Sequence, residues 1–268
     1  MAVPDARRDA VDSRVRGCAL KFAGSRSSLH DRPRRRSNRV QRALGAAVLN
    51  PKIAVVGDIH GEIRRLERAV EWLTKWDGSI LFMGDYVNRG AHSREVLDAL
   101  ISLKSELGDR ATFLLGNHDL ALRDFIDGGS EHTFLAHGGL TTLHSYIGTR
   151  AKDDPLAQMR EDFPVSHRRF LSELAVYLES PEFIAAHCGI DPEHPSARTI
   201  DALVTGSHPR LFEPGIELPK MVVSGHYAQR SGRPFIGEQF VCVDSGCGVV
   251  PEAPLAIVLL PSRDVVLL

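Results

Sequence analysis

Past position 50, apolar residues come in short runs that stop at glycine-bearing turns. Lys52–Val56, Ser79–Met83 and Thr112–Leu115 are rich in branched side chains and bounded by turn residues, as expected of strands buried on both faces. Between them the spacing changes: Ile63, Leu66, Val70, Leu73 and Trp76 recur at helical intervals, as do Val96, Leu97, Leu100, Ile101 and Leu103. Later runs at Phe183–Ala186, Met221–Val223, Phe240–Val243 and Ala256–Leu260 predict further strands, and Phe170, Leu171, Leu174 and Leu178 predict another amphipathic helix. Strands alternating with helices predict an α/β fold with parallel pairing and buried sheet faces. In such sheets the loops leaving strand C-termini gather on one edge, so residues distant in sequence can share a site.

Residues 1–50 lack this pattern. They hold 12 Lys and Arg against 4 Asp and Glu, out of totals of 33 and 34, which leaves 21 against 30 for the rest of the chain. With Arg34-Arg35-Arg36 and little apolar periodicity, the stretch is expected to be a disordered basic extension, and 51–268 a catalytic domain. An organelle leader, an arm for anionic partners and translated upstream sequence with no role are the alternatives; Asp5, Asp9, Asp12 and Asp31 weigh against the leader. The acidic body suits cation binding and argues against broad nucleic-acid binding. The four cysteines form no CxxC pair, so a structural zinc or redox couple is not expected, and a reducing cytoplasm is. No apolar run approaches the roughly 18 residues that cross a bilayer, which argues against a membrane partner.

Five polar clusters sit just past apolar runs: Gly57-Asp58-Ile59-His60-Gly61, Gly84-Asp85-Tyr86-Val87-Asn88-Arg89-Gly90, Gly116-Asn117-His118-Asp119, Ala186-His187-Cys188-Gly189 and Ser224-Gly225-His226. Each places a carboxylate, amide or imidazole where a strand gives way to a turn. Such a mixed set suits manganese, iron or zinc better than calcium, which prefers oxygen ligands alone.

Taken in order, the clusters resemble the calcineurin-like metallophosphoesterase superfamily and, within it, the phosphoprotein phosphatases, over roughly residues 52–248. The resemblance implies mixed β-sheets packed with flanking helices and a metal site on loops at strand C-termini. It also implies two divalent metal ions, manganese first, with iron or zinc as alternatives. Asp58 and His60 would hold the first ion, Asp85 would bridge both, and Asn117, His187 and His226 would complete the second. Arg89 matches the arginine that grips phosphate, and His118 the histidine that protonates the leaving oxygen.

Two positions depart from the family pattern. Asn88 stands where an aspartate supports the histidine; it can accept a hydrogen bond but supplies no negative charge, so an imidazolium at His118 should be less stabilised. A second phosphate-gripping arginine has no clean match, Arg210 being the nearest candidate and Arg198 the next. His137-Gly138-Gly139 falls in a helical stretch, Phe134 to Tyr146, that resembles the variable cap region and is expected to be structural. Cys188 and Cys247 are expected to pack beside the site, and Asp244-Ser245-Gly246 to shape its edge without contacting metal.

The resemblance points first to a serine/threonine protein phosphatase acting on phosphoproteins. A symmetrical dinucleoside tetraphosphate hydrolase is the second expectation, because those enzymes also lack the aspartate at Asn88. A phospho-ligand binding module with weak or no turnover is the third.

Overall fold

The computed structural model describes residues 52–268; the expectation for residues 1–50 lies outside the described residues. The chain runs β1 (Ile53–Val56), α1 (Ile63–Leu73), β2 (Ser79–Phe82), α2 (Ser93–Leu107), β3 (Ala111–Phe113) and α3 (Asn117–Ile126). A helical stretch follows, with α4 (Glu131–Ala136), α5 (Gly139–Ile147), α6 (Pro155–Asp162) and α7 (Val165–Glu173). The second half holds β4 (Tyr177–Glu179), β5 (Phe183–Ala186), α8 (Ile200–Leu203), β6 (Met221–Ser224), β7 (Phe235–Ile236), β8 (Phe240–Cys242), β9 (Ala256–Leu260) and β10 (Asp264–Leu267).

Two five-stranded sheets result, ordered β10-β9-β1-β2-β3 and β4-β5-β6-β8-β7. Both are mixed: β1, β2 and β3 are parallel, as are β5, β6 and β8, while the outer strands β9, β10, β4 and β7 pair antiparallel. The period-two alternation of strand side chains explains how the sheets meet. Ile53, Val55, Leu81, Met83, Val258 and Leu260 of one sheet cluster with Phe183, Ala185, Val223, Val241 and Leu178 of the other. The intervening residues, among them Ala54, Val56, Ile80 and Phe82, join Leu66, Ala69, Leu73, Val96 and Leu97 of α1 and α2. Strands buried on both faces read as continuous apolar runs, which is why they were legible in the sequence.

Two expectations shift. Leu178 does not continue a helix but lies in β4, because α7 ends at Glu173 and the backbone turns extended at Leu174. There Ala175 donates to the Phe113 carbonyl (2.9 Å) and accepts from the Leu115 amide (2.8 Å), which ties the chain leading to β4 onto the end of β3. The stretch from Phe134 to Tyr146 is not one helix; it breaks at His137-Gly138, where Gly138 takes φ +79° between α4 and α5.

Leu81, almost fully buried between the sheets, tests this packing. Leu81→Ala should lower unfolding stability by about 2–5 kcal/mol, read from the urea midpoint; a loss below about 1 kcal/mol would place Leu81 outside the inter-sheet core.

Candidate metal centre

Each sheet contributes the C-terminal ends of three parallel strands. The first sheet presents Asp58 and His60 after β1, Asp85, Asn88 and Arg89 after β2, and Asn117 and His118 at the start of α3. From the second come His187 after β5, His226 after β6 and Asp244 after β8. Drawing these loops together strains them. His60, Asp85, Asn88, Arg89 and His226 have φ of +46°, +52°, +71°, +68° and +68°, and among the described residues only Glu252 and Arg263 are other non-glycine cases. Such conformations cost of order 1–3 kcal/mol each and persist where the surroundings fix them. Two glycines are required by crowding: a Cβ at Gly116 would collide with the Asp85 carboxylate, and one at Gly225 with that of Asp58.

Asp85 lies at the centre. Its Oδ1 accepts the His118 backbone N–H at the start of α3 (2.9 Å), where amide dipoles favour a negative charge. Its Oδ2 faces the Nε2 atoms of His187 (3.3 Å), His60 (3.7 Å) and His118 (3.8 Å). Burial alone would raise this acid, but the histidines around it hold it well below the usual carboxylate range. Asn117 Oδ1 lies 3.0 Å from both His187 Nε2 and His226 Nδ1, and these two nitrogens are 3.3 Å apart. The His226 backbone N–H donates to Asp58 Oδ2 at 3.0 Å, closing the ring between the two sheets.

The donor set fits cations. His60 Nδ1 donates to the Val87 carbonyl (3.1 Å) and His187 Nδ1 to the Met83 carbonyl (2.9 Å), an arrangement that turns each Nε2 toward Asp85 as a ligand nitrogen. Asp58 Oδ1 and Asp244 Oδ2 are buried with no hydrogen-bond partner. Burial, together with the neighbouring Asp244 and Asp85, pushes Asp58 well above its usual range, and burial raises Asp244 to about 6. Carboxylates, an amide oxygen and imidazole nitrogens thus crowd together as mutual acceptors, which positive charge reconciles. In His187 a proton meets that demand: burial opposes it, but the Asp85 carboxylate pushes the ring up to about 10. Burial instead lowers His60 and His226 to about 4, leaving both neutral and able to ligate.

Beside the ligands, His118 Nδ1 receives the Asn88 Nδ2 amide at 3.1 Å, and Thr142 Oγ1 donates to Asn88 Oδ1 at 2.7 Å. The Asn88 backbone N–H is itself held by Ser93 Oγ (3.0 Å) and Thr142 Oγ1 (2.9 Å). Because the Thr142 hydroxyl can donate or accept, the amide can present either end to the ring: its NH2 to a bare Nδ1, or its carbonyl to an Nδ1–H. Arg89, exposed on the cleft, brings Nη2 within 3.4 Å of His118 Nε2.

The structure therefore brings together Asp58, His60, Asp85, Asn88, Arg89, Asn117, His118, His187 and His226, the residues that the motifs single out. It does not bring in Arg210, which pairs at the surface with Glu193 (3.1 Å) and Glu213 (3.5 Å), nor Arg198, which is held by Glu179 (3.2 Å). An arginine flanked by acids in a loop pairs locally before it can reach a distant cleft. Two residues set aside in the sequence do face the cleft, which has a volume of about 200 Å³ and is lined by Asp244 and His137 along with His60, Asp85, Arg89, Asn117, His118 and His226. His137 approaches His118 with ring centroids 5.1 Å apart, and the helix break at Gly138 delivers it there. Asp119 was not singled out, yet its carboxylate receives the backbone N–H groups of Asp85 (2.8 Å), Tyr86 (3.0 Å) and Gly116 (3.1 Å), and so clamps the β2 loop to α3. Only its place at the end of the third motif marked it.

Comparison with known proteins agrees with this frame. The structure described as "Crystal structure of a putative diadenosine tetraphosphatase" is similar with TM-score 0.59 at 22% identity, over 82% of this chain and 94% of that one. The cold-active protein-tyrosine phosphatase of a psychrophile, Shewanella sp., is similar with TM-score 0.54 at 16% identity, over 78% of this chain and 75% of that one. At these identities the likeness is one of fold. The family profile of calcineurin-like phosphoesterases matches residues 51–230, a span that includes every ligand loop from Asp58 to His226. The chain belongs to the calcineurin-like phosphoesterases, metal-dependent hydrolases of phosphoesters.

Proposed function

We propose that the chain is a phosphomonoesterase that removes phosphate from phosphoserine or phosphothreonine in proteins. The observation behind this reading is the cleft itself, in which Arg89 and His118 face the same space as the ligand ring. Its volume of about 200 Å³ suits a phosphoryl group, and Ala136, Ala228 and Val249 offer aliphatic wall to a peptide stem. None of the cleft-lining residues is Phe, Tyr or Trp, the side chains on which a nucleobase would stack.

Asp58, His60, Asp85, Asn117, His187 and His226 would hold two divalent ions, with Asp85 shared between them. When bound, those ions supply an acidified water and neutralise phosphoryl charge. Manganese is the first assignment and iron or zinc the alternatives, because the set mixes carboxylate, amide and imidazole without thiolate. Cys188, next to His187, stays a thiol: burial pushes it well up, and its Sγ donates to the Val204 carbonyl at 3.0 Å. Cys188, Cys242 and Cys247 are free thiols, in keeping with a reducing cytoplasm.

The protein's own groups do the positioning. Arg89 offers a planar pair of donors to the phosphoryl oxygens, and its exposure leaves it free to close on them. His118 gives a proton to the departing oxygen from Nε2, while Asn88 fixes the ring through Nδ1. Asn88 also supports a second reading. A neutral partner stabilises an imidazolium less than a carboxylate does, which suits leaving groups more acidic than a serine alkoxide, such as the nucleotide released from a dinucleoside tetraphosphate.

Manganese-loaded protein should release phosphate from a phosphoserine peptide and from p-nitrophenyl phosphate, with chelation abolishing both. Faster cleavage of diadenosine tetraphosphate would favour the second reading, and no turnover on any of the three with metal bound would leave a binding module. Asn88→Asp should raise kcat on the phosphopeptide more than on p-nitrophenyl phosphate; equal effects would remove Asn88 from leaving-group protonation. Thr142→Val frees the Asn88 amide and should lower kcat by about tenfold, the equivalent of one hydrogen bond, with KM little changed.

A further inference from the structure

We propose that a second cavity, separate from the metal cleft, binds a phosphate-bearing ligand. It lies in the helical layer and has a volume of about 410 Å³, twice that of the cleft. Arg94 of α2, Arg150 and Lys152 of the turn after α5, and Asp162 of α6 supply its charge, so three cations face one carboxylate. That balance runs against the body of the chain, where acids outnumber bases.

Three of the neighbouring acids are already engaged. Asp162 Oδ2 lies 3.4 Å from Gln158 Nε2, Asp98 accepts from His167 Nε2 at 2.8 Å, and Glu95 faces His92 at 3.5 Å. Among the described residues, no ion pair within 4 Å involves Arg94, Arg150 or Lys152. Three like charges around one space repel each other, and an anion among them relieves that repulsion while gaining charge-assisted hydrogen bonds.

The wall is built rather than incidental. Gln158, a buried polar side chain, donates to the Arg150 carbonyl (3.1 Å) and accepts from the Lys152 N–H (2.9 Å), which fixes the turn that carries both cations. Tyr146 forms another side: its hydroxyl meets His167 Nδ1 at 2.6 Å, and the Arg94 guanidinium sits 5.9 Å above its ring centroid. Buried Ile147 and Met159 complete the lining, while Arg150 and Lys152 reach it from an exposed turn. Guanidinium forks prefer the oxygen spacing of phosphate, hence the ligand class. The site shares no lining residue with the metal cleft, so its occupant need not be the substrate.

Isothermal titration of pyrophosphate into protein stripped of metal and desalted tests the assignment, with Arg89→Ala separating this cavity from the metal cleft that Arg89 lines. Wild type and Arg89→Ala should bind alike, whereas Arg150→Glu combined with Lys152→Glu should weaken binding by at least about tenfold. Lys152→Ala, a milder change, should give an intermediate loss. After metal reloading, unchanged p-nitrophenyl phosphate turnover by the double variant would show that it is folded. Absence of binding in the wild type, or binding lost in Arg89→Ala and kept in the double variant, would overturn the proposal.

Discussion

The Asp85 carboxylate is the interaction on which the site depends. It sits at the end of β2, which has β1 on one side and β3 on the other, so its loop is the one that can touch both neighbouring loops. The Asp119 clamp and the His118 N–H fix its position, and three imidazoles approach one of its oxygens. A buried carboxylate surrounded in this way stays ionised because the histidines outweigh its burial. Everything else in the cleft, from the Asn117 amide to the Asp58–His226 contact, is arranged around that fixed negative charge.

Holding the charge there requires an unfavourable local backbone and a favourable apolar core. Five non-glycine residues of the site have positive φ, and Gly116 and Gly225 leave no room for a side chain. The inter-sheet cluster and the helix-covered outer faces supply the offsetting stability, since both are apolar and buried. The polar groups gather on one edge because parallel strands end there, and the same geometry lets both sheets contribute.

Much of this was legible in the sequence for physical reasons. Strands buried on both faces write themselves as apolar runs, and the glycine beside each ligand marks where loops must approach closely. β4 was not legible, because three residues give too little alternation to separate Leu178 from the helical spacing before it. Arg210 was misjudged, since proximity in the motif order says nothing of the acids that hold it at the surface. His137 and Asp244 were undervalued for the opposite reason: a helix break and a late turn bring them to the cleft, and neither follows from periodicity.

Asp85 as a shared ligand is the central claim, and metal stoichiometry tests it most directly. Elemental analysis of manganese-saturated, desalted protein should find about two ions per wild-type chain, with Asp85→Asn retaining neither at comparable free metal. Two ions still bound in a folded Asp85→Asn variant would contradict the account.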